Sequence, residues 1–154
     1  MTQFQTVATG GTFDLLHRGH LELLRTAFSA SSFVIIGLTS DDLAARRGKT
    51  TFHNYIQRFQ NLSDLIKENF PDGKFQIRHL DDEFGPAVLE EGVQALVASE
   101  ETSAQGRILN GMRRERGLPP VEVVVVPMVM ARDGKRISST RMKNSEIDFD
   151  GNLN

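Results

Sequence analysis

With 154 residues, 39% of them apolar and 25% charged, the chain has the length and composition of one folded domain rather than of a disordered segment. It contains no cysteine, which excludes disulfides, thiol nucleophiles, cysteine zinc sites and iron–sulfur clusters together. A net charge of −2 and a pI near 6.1 give no basic field for nucleic acid, despite the local cluster Arg113–Arg116, and the longest apolar run, Val123–Ala131, is interrupted by a proline and too short for a membrane span.

Phe4–Thr9 (FQTVAT) is rich in β-branched and aromatic residues and runs into a glycine turn, which predicts a strand. The next segment, LLHRGHLELLRTAF, sets Leu16, Leu23, Leu24, Ala27 and Phe28 on one stripe and predicts an amphipathic helix. Phe33–Thr39 reads as a second strand, Tyr55–Asn69 as a helix ending before Pro71-Asp72-Gly73, and Phe75–Leu80 as a third strand. Ala95–Ala98 reads as a short buried strand, Thr102–Arg116 as a helix stopped by Gly117, and Val121–Val126 as a fifth strand. The acidic closing segment EIDFDGNLN is expected either to fray or to make a contact across the fold. Strands that alternate with helices and have nearly continuous apolar cores imply an α/β fold: a Rossmann-like, doubly wound, five-stranded parallel sheet in a single domain over 1–154. Ligands of such sheets bind beyond the carboxyl ends of the strands, near the point where the strand order reverses. The start of the chain lacks a basic region followed by a signal-type core, so a cytoplasmic protein is expected.

Two stretches carry candidate chemistry. GGTFDLLHRGH, at Gly10–His20, follows the first strand but has neither the GxGxxG of dinucleotide sites nor the GxxxxGK[ST] of the usual triphosphate cradle. It offers a glycine turn, a helix start with its partial positive charge, and two histidines three apart and hence on one face, which suits a phosphate group. The competing account has His17 and His20 capping the helix, with Thr12 and Asp14 serving as local turn or capping residues. A metal site would need a third ligand, and no metal held by protein side chains is expected. The second stretch is KRISSTR, at Lys135–Arg141, whose hydroxyls and arginine can either cap a helix or bind phosphate oxygens. Taken together, the two can hold a triphosphate from both sides.

His17-Arg18-Gly19-His20 matches the HxGH signature, and Ile137–Arg141 the second signature, of the nucleotidyltransferase superfamily distantly related to class I aminoacyl-tRNA synthetases. With DEFGP at Asp82–Pro86, VASEET at Val97–Thr102, LNGMRRERGL at Leu109–Leu118 and ISSTRMKNSEID at Ile137–Asp148, the chain resembles the archaeal and eukaryotic type of phosphopantetheine adenylyltransferase along nearly its whole length. It departs from that pattern at Glu83, where proline is expected, and at Ser145, where glycine is common.

The resemblance implies AMP transfer from ATP to 4′-phosphopantetheine, giving dephospho-coenzyme A and pyrophosphate by direct in-line attack, with Mg²⁺ arriving with ATP. By motif position it implies His20 and His17 at the α-phosphate and neighbouring phosphates, and Gly10, Gly11, Thr12 and Phe13 around the incoming phosphate. Lys49 would bridge the reacting phosphates, with a solvated loop lysine as the competing account. Ser99, Glu100, Glu101 and Thr102 would line the adenosine side, or else cap the following helix. Ser138, Ser139 and Thr140 would meet the β- and γ-phosphates, with Arg141 starting or bracing their helix. Arg113 would reach the triphosphate, with Arg114 and Arg116 as rivals and a surface salt bridge as the alternative. Two other readings stay open: a related cytidylyl- or FAD-synthetase-like transferase, and a nucleotide-binding protein without turnover. Neither nucleic acid nor a membrane is an expected partner, and the oligomeric state is not readable from the sequence.

Overall fold

The computed structural model describes residues 3–82, 92–100, 102–138, 141–142 and 144–153. Among them, strands β1 (Phe4–Gly11), β2 (Ser31–Thr39), β3 (Phe75–Leu80), β4 (Ala95–Ser99) and β5 (Glu122–Val126) form one sheet in the order β3-β2-β1-β4-β5, with every pairing parallel. Among the described residues the sheet is accompanied by helices α1 (Arg18–Ala30), α2 (Asp41–Arg46), α3 (Tyr55–Asn69) and α4 (Gln105–Glu115). The order reverses at β1, which lies between β2 and β4, so the crevice expected of this topology opens beyond Gly11 and Ser99.

Successive side chains of a strand face opposite sides, and the two faces carry separate cores. Val7, Val34, Ile36 and Val97 pack with Leu24 and Ala27 of α1 and Leu62 and Ile66 of α3. Ala8 and Ile35 pack with Leu109 of α4, with Leu96 and Met112 beside them. Right-handed crossovers account for this split: the chain steps one way across the sheet through α1 and α3, and the other way through α4. Gly106 lets α4 come close to β5, because a Cβ there would stand 2.4 Å from Val123 Cγ2.

Helix α3 begins with a reciprocal cap in which the Gln57 amide N–H donates to Asn54 Oδ1 at 2.9 Å and the Asn54 N–H donates to Gln57 Oε1 at 3.0 Å. Helix α2 has no counterpart among the sequence expectations. It is only six residues long, too short for a hydrophobic period, but Ser40 Oγ accepts the Leu43 N–H and Asp41 and Asp42 fill its first turn.

The closing segment lies against the fold. Ile147 packs with Ala131 and Ile137 in a small third core, the Arg132 N–H donates to the Gly151 carbonyl at 3.0 Å, and the Arg18 N–H donates to the Phe149 carbonyl at 3.0 Å.

Candidate active site

A cavity of about 520 Å³ opens at the carboxyl edge of β1, β4 and β5 and is lined by the Gly10–Asp14 turn, His17, His20, Lys49, Ser99, Thr102, Arg136 and Ser138, among others. A second cavity of about 310 Å³ adjoins it over β2 and β3, with Gly37, Thr39, Arg47, Leu80 and Gln105 in its wall. Gly10, Gly11, Thr12, Lys49, Ala98 and Thr102 line both. The site is therefore one cleft of two lobes that meet over the end of β1.

Both histidines line the larger lobe, and the local structure shows them capping the helix. His17 is the N-cap of α1: its Nδ1 accepts the Gly19 N–H at 3.0 Å, its side chain also receives the His20 N–H, and the His17 N–H returns to His20 Nδ1 at 3.2 Å. The rings stack with centroids 3.9 Å apart. Since Nδ1 of each ring is an acceptor, each neutral ring carries its proton on Nε2, where it can act as a donor. Burial, reinforced by the Arg136 guanidinium, lowers the His17 pKa to about 4. Burial and the neighbouring His17 hold His20 well below the ordinary histidine value.

The first amides of α1 are already engaged within the protein. The Arg18 N–H is taken by Phe149, and those of Gly19 and His20 by the His17 side chain. What this helix end can offer an anion in the lobe is therefore imidazole N–H groups rather than its first amides. Gly19 is what makes room: a Cβ at that position would stand 2.7 Å from His17 Cε1.

Above the histidines, Phe13 adopts a left-handed backbone (φ 48°) while its ring is buried, 5.0 Å from the His20 ring centroid. Such a conformation in a bulky residue is uncommon, and at this place it turns the chain sharply from β1 into the cleft. Lys49 follows Gly48 (φ 73°) in an exposed loop, and its Nζ lies 3.4 Å from Thr12 Oγ1. Asp14 is buried and accepts the N–H groups of Phe52 and His53 at 2.7 and 2.9 Å, so it ties the lysine loop to the turn.

The remaining expected residues divide. Ser99 and Thr102 line the larger lobe, their hydroxyls 3.1 Å apart, whereas Glu100 is exposed and lines neither lobe. Ser138 lines the larger lobe and its Oγ accepts the Arg141 N–H at 3.2 Å. Glu101, Ser139 and Thr140 lie outside the described residues, as does most of DEFGP. Arg141 lines neither lobe: its guanidinium is taken up by Asp133, by Glu146 at 3.5 Å and by the Arg136 carbonyl at 3.1 Å, and it braces the loop that carries Arg136.

Arg113, expected to reach the triphosphate, lines neither lobe of the cleft. It is fully buried and donates to the carbonyls of Pro119 at 2.7 Å and Val93 at 3.4 Å, and Val93 precedes β4 at the edge of the sheet away from the cleft. The guanidinium that does line the larger lobe is Arg136, which the sequence treated only as the flank of ISSTR. Its position directly before a phosphate-type signature was the available signal.

The larger part of the sequence, residues 8–145, matches the family model described as Cytidylyltransferase-like. A phosphopantetheine adenylyltransferase from Methanothermobacter thermautotrophicus is 38% identical over 151 residues, covering 98% of this chain and 90% of that protein. The chain belongs to the phosphopantetheine adenylyltransferase family. A second member, from Methanosarcina barkeri, is 41% identical over 150 residues, covering 96% of this chain and 91% of its own length. Among solved structures, one titled as a protein with unknown function from Archaeoglobus fulgidus superposes with a TM-score of 0.70 at 27% identity, covering 80% of this chain and 89% of that one. Membership in the phosphopantetheine adenylyltransferase family makes the protein a nucleotidyltransferase with a Rossmann-like fold. Among the described residues no helix is long and apolar enough to cross a membrane.

Proposed function

We propose that the protein transfers AMP from ATP to 4′-phosphopantetheine, releasing pyrophosphate and forming dephospho-coenzyme A. Beyond family membership, the observation that carries this reading is the meeting of two lobes at Thr12 and Lys49. One lobe, with His17, His20, Arg136 and Ser138, suits a nucleoside triphosphate. The other, with Leu80 and Leu96 beside Thr39 and Gln105, suits an arm that alternates apolar and amide groups.

An oxygen of the acceptor phosphate, held at the junction by Thr12 and Lys49, attacks the α-phosphorus. A new P–O bond forms, the bond from the α-phosphorus to the bridging oxygen breaks, and its electron pair leaves with pyrophosphate. The acceptor phosphate is already a nucleophile, so no side chain need be activated and catalysis consists of positioning and charge stabilisation. His20 and His17, kept neutral, donate Nε2–H bonds to oxygens that gain charge, while Arg136 and the Ser138 turn hold the departing phosphates. Mg²⁺ brought in with ATP would supply the positive charge that neutralises the leaving pyrophosphate.

The test is pyrophosphate release with ATP and Mg²⁺, comparing 4′-phosphopantetheine with FMN, nicotinamide mononucleotide and glycerol phosphate, and repeating the series with CTP. Turnover confined to ATP and phosphopantetheine, with the mass of dephospho-coenzyme A, is the expected result. Binding of ATP without turnover on any acceptor would reject it.

A further inference from the structure

Arg58, in the first turn of α3, is fully buried and lines neither lobe of the cleft. Its Nη1 donates to the carbonyls of Thr12 at 2.9 Å and Thr39 at 2.7 Å, its Nε to the carbonyl of His53 at 3.2 Å, and its Nη2 to Asp41 Oδ1 at 2.8 Å. These oxygens belong to separate pieces of chain: the turn after β1, the end of β2, the segment entering α3, and the start of α2. Burying a cation is costly unless such partners are all in place, so the guanidinium and the four segments specify one another's positions.

The connection bears on the reacting groups. Arg58 holds the Thr12 and His53 carbonyls, while Asp14, two residues beyond Thr12, accepts the His53 N–H. The His53 peptide is thus gripped on its N–H by the turn and on its carbonyl by the arginine that also grips the turn. Across this brace lie Thr12 Oγ1 and Lys49 Nζ, at the junction of the lobes. Lys49 is otherwise an exposed side chain on an exposed loop, with a long flexible stem.

We infer that Arg58 is a positioning residue for the acceptor half of the reaction: its guanidinium sets the Thr12–Lys49 pair against the nucleotide lobe without touching either substrate. A planar fork with several fixed donors can join these carbonyls and a carboxylate at once, which a lysine ammonium cannot do in the same geometry. The inference rests on the adenylyl transfer proposed above, and the experiment is arranged so that the two can fail separately.

Arg58→Lys retains the charge and loses the fork. With the variant shown to be folded by circular dichroism, kcat/KM for phosphopantetheine is expected to fall by about tenfold to a hundredfold, the scale of an ångström-level misplacement, while the Kd of Mg-ATP stays within about twofold. Lys49→Ala is expected to cost much less in the Arg58→Lys background than in the native protein, because Arg58 acts through Lys49. A readout free of turnover is the methyl order parameter of Thr12 in the protein without ligand, which is expected to drop in Arg58→Lys while that of Thr102 does not. Independent, multiplicative losses in the double variant, an equal loss of ATP affinity, or an unchanged Thr12 order parameter would overturn the inference. Absence of native turnover with phosphopantetheine would reject the reaction instead, leaving the order parameter to decide the role of Arg58.

Discussion

His17 and His20 stack 3.9 Å apart, and each lends its Nδ1 to a backbone N–H of the other's neighbourhood, so the cap of the helix and part of the cleft lining are one object. The pair is built to stay unprotonated, because a proton at either Nδ1 would displace a hydrogen bond of the cap. In NMR titrations His17 is expected to protonate near pH 4 and His20 well below the ordinary histidine range. For His17, the unfolded chain takes up the proton near pH 6.5 and the folded one only near 4, so its contribution to stability is full above about 6.5 and falls as the pH drops through that window; His20, also lowered, acts with the same sign. For His17 alone the loss amounts to about 3 kcal/mol at the lower end, at about 1.4 kcal/mol per pH unit. Urea unfolding at pH 7.5 and 5 checks this, and equal stabilities would contradict it.

Substitution can separate the cap from the chemistry. Asparagine is among the best N-cap residues but does not titrate, so His17→Asn is expected to retain the fold, flatten the acid loss of stability and still lower kcat. His20→Ala is expected to lower kcat by about a hundredfold or more, the scale of losing one donor to developing charge. Steady-state rates alongside melting curves decide the matter: near-normal turnover in His20→Ala would remove it from the chemistry.

Gly19→Ala sets helix propensity against site geometry. Alanine is favoured over glycine within a helix by about 1 kcal/mol. Its Cβ, however, would lie 2.7 Å from His17 Cε1 and 2.9 Å from Nδ1. The ring must turn away and release its amides, so kcat is expected to fall about tenfold or more although stability changes little. Calorimetry and turnover on the same sample give both numbers.

Ser145 adopts φ 58° at the position where the family pattern favours glycine. A side chain in the left-handed region is strained, so Ser145→Gly is expected to raise stability by about 0.5–1 kcal/mol without altering turnover. Chemical denaturation would show the gain as a higher midpoint at an unchanged slope.

The fold was legible where the physics is repetitive. Tyr55–Asn69 and Phe75–Leu80 have the bounds expected of them, because a long amphipathic period and a run of strand formers each end at clear punctuation. Helix α2 was missed because six residues show no period, even though Ser40-Asp41-Asp42 is a capping pattern. In the site, the residues beside the glycine turn and Lys49 could be placed from local motifs and resemblance. Arg58, Arg113 and Arg136 could not be sorted in that way, since whether an arginine is a brace or a contact depends on carbonyls brought near it by distant strands. Arg113 shows the consequence: its helix and spacing fit the family, yet it points to the loop before β4.

The bond from the Arg18 amide to the Phe149 carbonyl joins the start of α1 to a segment more than a hundred residues later in the sequence, about the span from β1 to β5. During synthesis, α1 leaves the ribosome long before its capping carbonyl exists, and the Arg132 amide must likewise wait for Gly151. The sheet needs none of these late residues, whereas the loop carrying Arg136 and the start of α1 both do, so the cleft is expected to take its final shape after the sheet.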